Sequence, residues 1–445
     1  MRTFFTIWAG QFISVLGSGL TSFALGVWIY DQTGQATPFA LTALFYTLPG
    51  LILMPVAGSF ADRYNRRWIM ILADTGAALV TAITFLLLFL GDLQIWHIYL
   101  LAFFGSAFSA FQEPAYTASV TMMVPKKHLA RSSSITQMGQ AISAILTPLM
   151  AGALYGLVGL NGIILIDALT YLFAIGALLI VRIPQPKRQT EAAPGEKQTS
   201  VWQEAAFGWK YLRALPGLFG LLIYFASVNF FLSYSNVLDG PLVLSYGSAA
   251  DLGVVQMVSG ISMFAGSLVM SAWGGPKNRK VPALIGFIAL SSTGFLISGL
   301  RPNTLVISLG RVVLMGFIPF AGALSQAVFQ VKIPPDIQGR VFAIRGMIAR
   351  SMIPLAFILS GPLADHFFEP LMAPGGALAG TFVGTLLGSG PGRGVGLMFI
   401  ISCFFLWVES LLAYLNPRIR NAETEIPDAL SDEPPEAQAA PAQTG

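Results

Sequence analysis

Charged side chains set inside long apolar runs are the residues of this sequence that could do chemistry, and they are few: only 10% of its 445 residues are Asp, Glu, Lys or Arg. Arg311 falls about seven residues into one such run, roughly 10 Å deep at the helical rise. Asp167 lies at an equivalent depth in another run, and Arg350 near the middle of a third. Placing one charge in lipid costs roughly 2.5 to 3.5 kcal/mol on the insertion scale, so each must be paired or face an aqueous cavity. The chemistry open to them is the coupling of proton or ion movement to a change of shape, with Asp31 and Glu113 as further candidates. Arg350 is either such a functional charge or the local partner of Glu409. Asp167 reads better as a structural hydrogen-bonding group, and Asp31 and Asp239 sit at helix ends next to water. Enzymatic chemistry has little material. His97, His128 and His366 are scattered, Cys403 is alone, and no stretch resembles a phosphate-binding Walker loop. No metal and no cofactor are expected, and the chain is not read as an enzyme.

A second charged feature is the segment from Gly58 through Asp62, Arg63, Asn65, Arg66 and Arg67, four charges in a short polar turn between two apolar runs. Its charges must work at a membrane surface. Asp74 and Glu113 lie toward the same surface, where Arg63 or Arg66 could satisfy them, so Asp74 is grouped with the loop. Neutral polar residues form stripes at three- and four-residue spacing: Gln11, Ser14, Ser18 and Ser22 on the first run, and Gln137, Gln140, Ser143 and Thr147 on the fifth. Asn229, Ser233 and Asn236 are interleaved with aromatic residues on the seventh, and Gln256 follows on the eighth. Polar faces in lipid turn inward, and a mixed aromatic and polar wall suits a bulky amphipathic solute. Helix packing is the alternative use of each serine taken singly.

The elements that must position these groups are membrane helices. With 55% hydrophobic residues and a mean hydropathy of +0.69, most of the chain needs lipid as its solvent. About twelve runs have the roughly 20 apolar residues that a span requires. The first is read as a retained helix rather than a signal peptide. Lys and Arg concentrate in alternate turns (Arg63 to Arg67, Lys126 to Arg131, 182 to 213, Lys277 to Lys280, Lys332 to Arg340), which places both termini in the cytoplasm. The net charge of +4 follows from this topology; no basic stripe or aromatic platform points to nucleic acid. The chain also repeats itself. Asn65-Arg66-Arg67 recurs as Asn278-Arg279-Lys280, Pro125 with Arg131 as Pro334 with Arg340, and Pro148-Leu149 as Pro354-Leu355. Such spacing predicts an all-α polytopic membrane protein of twelve transmembrane helices in two pseudo-symmetric six-helix bundles. The expected units are an N-terminal bundle over 1–182, a cytoplasmic linker over 183–213, and a C-terminal bundle over 214–416. A Gly-rich extracytoplasmic insertion at 366–392 and a disordered acidic tail over 417–445 complete the chain.

The loop at 58–67 resembles the signature loop of the major facilitator superfamily between its second and third helices. Asp62, Arg63, Arg66 and Arg67 match; Phe60 replaces the usual Leu, and Asn65 stands at the second Gly, where it would tolerate a left-handed backbone. The resemblance implies that Asp62 acts as half of a cytoplasmic latch against the N-terminus of the eleventh helix, near Asp336 to Arg340. Ser143, Thr147, Pro148, Ala151 and Gly152 resemble a degraded antiporter motif, with ordinary small-residue packing as the alternative. His97 to Ala118 contains no Arg, so the helix-four arginine of many drug:proton antiporters is missing. The macrolide-efflux branch, which includes siderophore exporters, is resembled more closely: through Gln11 to Gly19, Ile166 to Leu169, Gly361 to Asp365 with Phe368-Glu369-Pro370, and Gly392-Arg393-Gly394.

The expected function is a secondary active transporter in the cytoplasmic (inner) membrane. It would export an amphipathic small molecule by alternating access, as a monomer in the lipid bilayer with the proton gradient as energy source. An uptake permease of the same fold and a transport-inactive sensor or assembly partner are the alternatives.

Overall fold

The computed structural model describes residues 1–181 and 201–429, without the side chains of Arg2, Pro55, Asp62, Asp336 and 201–206. The first half holds α1 (Arg2–Thr33), α2 (Ala36–Arg63), α3 (Arg66–Leu90), α4 (Ile95–Met123) and α5 (Leu129–Ile180). After α6 (Val201–Ala214), the second half holds α7 (Pro216–Leu244), α8 (Ala249–Trp273), α9 (Lys280–Leu300), α10 (Thr304–Lys332) and α11 (Pro335–Leu363). The short α12 (Glu369–Met372) and α13 (Phe382–Leu387) lead into α14 (Arg393–Leu415). Among the described residues, eleven helices are long and apolar enough to span a membrane. One of them, α5, is two spans joined at Gly159, whose φ of 65° and ψ of −174° lie outside any helix. Twelve spans result.

The helices end where the sequence supplies terminators. Gly34, Gly91 and Gly274 take left-handed C-cap conformations. The Ser248 and Asp251 side chains close a capping box at the start of α8, and Asn303 accepts from Leu305 N and Val306 N at the start of α10. The outward faces are lipid-soluble: Leu72, Phe89, Leu157, Leu305 and Phe382 are exposed. Within the first half α1 packs on α5, and α4 on α2 and α3; within the second α9 packs on α10 and α14, and α7 on α11. The halves meet chiefly through α5 with α8 and α2 with α11, and α7 also touches α1 and α2.

Several sequence expectations need correction. The polar turn at 58–67 is mostly helix: α2 runs through Arg63, and only Tyr64 and Asn65 stand outside. Asn65 is not left-handed. At φ −65° and ψ 110° it caps α3, its side chain accepting from Arg67 N, which is a use for a short amide that glycine could not serve. The expected linker falls outside the described residues up to 200, and its remainder is helical as α6. The tail is not disordered at its start. Pro417–Arg420 and Ala422–Glu425 form short helices, Ala422 is fully buried, and Lys332 donates to Ile426 O and Asp428. Glu423 also caps α9 by accepting from Lys280 N at 2.6 Å. A basic helix end attracts this acidic segment; residues 430–445 lie outside the described ones.

Replacing Gly159 by Ala forces a side chain into a backbone region that is essentially glycine's, at a cost of about 1–3 kcal/mol. The purified variant is expected to unfold at a lower temperature in detergent, whereas Gly156→Ala, in open helical surroundings, should leave the midpoint unchanged or higher.

Candidate transport cavity and its charged residues

A cavity of about 860 Å³ lies mainly inside the first half, walled by α1, α2, α3, α4 and both parts of α5. The second half contributes a few residues, among them Asn236, Gln256 and Phe357. The α1 stripe turns toward it as a unit: Gln11, Ser14, Ser18 and Ser22 all line the wall. Gln140, Ser143, Thr147 and Pro148 do the same from α5. Trp8, Phe12, Phe39, Tyr46 and Tyr116 supply aromatic surface between these polar groups.

Three acids line the cavity, Asp74, Glu113 and Asp167, and no Lys, Arg or His does so among the described residues. Asp74 is 5% exposed on α3. Its carboxylate accepts from Gln11 Nε2 at 2.8 Å and from Gln112 Nε2 at 3.2 Å, and Gln112 also donates to Gln11 Oε1. Asp167, 1% exposed, accepts from Ser18 Oγ at 3.3 Å and Thr81 Oγ1 at 3.2 Å; Ser18 also meets the Tyr171 hydroxyl at 2.9 Å. Both carboxylates are thus held by neutral donors. A buried carboxylate so placed can take up a proton or a ligand cation without first surrendering a salt bridge. Asp74 therefore belongs to the cavity and not to the loop, and Arg63 and Arg66 do not satisfy it. Asp167, despite its place on a supporting helix, reaches the cavity because the close α1–α5 packing brings Ser18 onto it. Glu113 is exposed at the cavity wall.

The loop arginines are occupied elsewhere. Arg66 donates to Ala61 O and, at 2.7 Å, to Ala118 O. Arg67 donates to Leu178 O and Leu179 O at 2.8 and 2.7 Å. They tie the start of α3 to α4 near its C-terminal end and to the last turn of α5, whose carbonyls lack intrahelical partners. Arg63 is exposed, Gly58 lies inside α2 with open space about it, and the Asp62 side chain lies outside the described ones.

Arg311 is not at the cavity. It is fully buried in the second half and forms a short ion pair with Asp239 of α7, with Phe399 beneath the guanidinium at 5.4 Å. Asp239 is thereby moved from the helix end, where the sequence suggested contact with water, to a buried position 5% exposed, because α7 continues to Leu244. Arg350 does not pair with Glu409, whose carboxylate accepts from Ser227 Oγ at 2.8 Å. Arg350 instead reaches Met54 of α2, with Nη1 at 3.5 Å from Sδ, across the two halves. Asp31 is exposed and accepts from the Tyr155 hydroxyl at 3.1 Å. Gln137, Asn229 and Ser233 do not line the cavity; Gln137 and Asn229 bond within their own helices, to Ser133 and to Phe225 O. The antiporter-like residues divide. Ser143 and Thr147 share a hydrogen bond at the cavity, whereas Ala151 is fully buried and Gly152 abuts α8, where a Cβ would stand 2.6 Å from Ala249 O.

Sequence reasoning missed Gln112 and Thr81 as partners of the two carboxylates, and Tyr171 as the partner of Ser18. A signal was present for Asp74, which lies about eight residues, or roughly 12 Å, into its helix, the depth used to single out Arg311.

The buried pair gives a clear expectation. Arg311→Met strands the Asp239 charge, and breaking such a pair costs about 3–5 kcal/mol. The single variant should be poorly produced and unfold early, while Arg311→Met with Asp239→Leu recovers most of the midpoint. Equal loss in both would show that the guanidinium has a role beyond pairing.

The Major Facilitator Superfamily model matches residues 7–357. Macrolide efflux protein A of Streptococcus pyogenes is 31% identical over 369 residues, 82% of this chain and 89% of that protein. The multidrug efflux pump Tap of Mycolicibacterium fortuitum is 25% identical over 361 residues, 78% of this chain and 86% of that one. Among solved structures, a bacterial homologue of the human lysosomal transporter Spinster, inward-facing and occupied, matches with a TM-score of 0.69 at 16% identity, over 94% of this chain and 97% of that one. The agreement covers the two-bundle fold as well as the sequence, and the chain belongs to the major facilitator superfamily, in its macrolide-efflux-like branch.

Proposed function

We propose that this multi-pass membrane transporter is a proton-coupled exporter of bulky amphipathic cations, working across the cytoplasmic membrane with its basic end and both termini in the cytoplasm. The observation that carries this reading is the cavity wall: three acids, aromatic surface and neutral hydrogen-bonding groups, without a described cation among them. Such a wall favours a positively charged, largely apolar guest and disfavours sugars and anions. Efflux of macrolides or drugs by the named relatives is consistent with that guest class.

Coupling follows from competition for the same carboxylates. At the cytoplasmic side a cargo cation displaces protons from Asp74 and Asp167. At the far side protons displace the cargo, and the protonated, neutral cavity returns. Binding of the two is then linked reciprocally: each weakens the other by the same factor. Cargo affinity should fall as pH falls, because the deprotonated carboxylates are the binding form.

Inside-out vesicles carrying the protein, energised by an imposed pH gradient, are expected to accumulate ethidium and a dimethylamino-sugar macrolide, and to release both when nigericin collapses the gradient. Accumulation under a sodium gradient alone, or none in either case, would overturn the coupling or the direction. In detergent, Asp74→Asn and Asp167→Asn should each weaken ethidium binding by about tenfold, the loss of one charge-assisted contact. The double variant should bind with a weaker pH dependence than either single one.

A further inference from the structure

Asp365 makes a contact that neither the cavity nor the signature loop accounts for. It lies in a π-helical turn, Ala364–Phe368, that continues α11 at the end of the bundle opposite the basic one. Its two carboxylate oxygens accept from Ala36 N at 2.8 Å and Thr37 N at 2.7 Å. Those are the first two amides of α2, whose N-cap residue Gln35 provides no side-chain cap. An aspartate of the second half therefore supplies the missing cap of a helix in the first half, with charge and helix dipole favourably matched. The approach is built for closeness: Gly361, one turn earlier on α11, has Thr37 against it, and a Cβ there would stand 3.0 Å from Thr37 N.

The residue after this turn, Glu369 at the start of α12, is a second carboxylate with a different job. Glu369 accepts from Gly392 N at 3.1 Å and Val395 N at 3.0 Å, capping α14 within its own half. The two acids of the Asp365 to Glu369 phrase thus cap two helix starts, one across the halves and one inside the second. Only the Asp365 bonds must break when the halves separate at this end.

We infer that Asp365 is the outer latch of the transport cycle, the counterpart on α11 of the cytoplasmic latch expected of Asp62 on α2. The two helices run antiparallel, so each carries an acid at or just beyond its C-terminal end, and neither has a side-chain cap from its own N-cap residue. Closing one end with one acid opens the other end and releases the other acid. The described conformation has the Asp365 latch made and the α5–α8 contact at Gly152 and Gly253 closed at the same end. The word outer rests on the orientation proposed above; the latch itself does not.

The test uses the full-length chain with Cys403→Ser and a reporter, Ser22→Cys, at the cavity wall, labelled by a membrane-impermeant maleimide in intact cells and in inside-out vesicles. Asp365→Ala is expected to raise the labelling rate in intact cells by about tenfold, as loss of two charge-assisted hydrogen bonds shifts the balance toward outward opening. Asp365→Glu should restore much of the closed state. Ala36→Pro removes one donor at a helix position that tolerates proline, and should raise labelling without altering α11. Glu369→Gln should lower the unfolding temperature and leave labelling unchanged. Unchanged labelling with both Asp365→Ala and Ala36→Pro would overturn the latch. A rise that appears in inside-out vesicles instead would support the latch and overturn the orientation.

Discussion

A charge carried into hydrocarbon must find an opposite charge, a set of hydrogen-bonding dipoles or a wet wall, and the arrangement of this protein follows from which of the three each charge takes. Arg311 takes Asp239 and disappears into the second half. Arg393, 3% exposed, takes the carbonyls of Gly299, Leu300 and Leu387, and so ties the end of α9 to the segment before α14. Asp74 and Asp167 take neutral amides and hydroxyls beside a cavity. The first two solutions hold helices in place. The third leaves a charge whose state can change.

This division separates rigidity from function between the halves. The buried ion pair stiffens the second half, while the acidic cavity wall, without Lys, Arg or His among the described residues, belongs mainly to the first. A transporter that rocks its halves needs each to move as a unit, and internal ties that never open serve that purpose. Contacts that must open are of another kind. They are short helix-terminal hydrogen bonds and close backbone approaches through small residues, such as Gly152 on Ala249 and Asp365 on the start of α2. Small residues lose little apolar packing when they part, which keeps the two end states close in free energy.

The arginines of the signature loop show how one sequence feature serves several physical ends. They contribute to the basic end of the bundle, where a membrane protein concentrates its Lys and Arg. They also bind carbonyls of α4 and α5 beside them, Ala118 O on one and Leu178 O and Leu179 O in the last turn of the other. The loop is therefore a clamp within the first half in addition to any gating role of Asp62.

Hydropathy, charge bias and helical spacing are local properties that lipid enforces along the chain, so the solvent, the number of spans, the internal repeat and the polar stripe on α1 were legible in the sequence. It also marked Arg311 and Asp167 as charges needing partners. It did not reveal which partners they find. Asp239 looked like a water-facing end residue, Asp74 like a ward of the loop arginines, Asn229 and Ser233 like cavity wall, and 417–429 like disordered tail. Each of those assignments depends on which helices become neighbours and on how each is rotated about its axis. That is settled by packing between segments tens to hundreds of residues apart. A carboxylate's partner 86 residues away on another helix, as Thr81 is for Asp167, leaves no periodic trace in the sequence. Only the packing of α3 against the second part of α5 brings the two together.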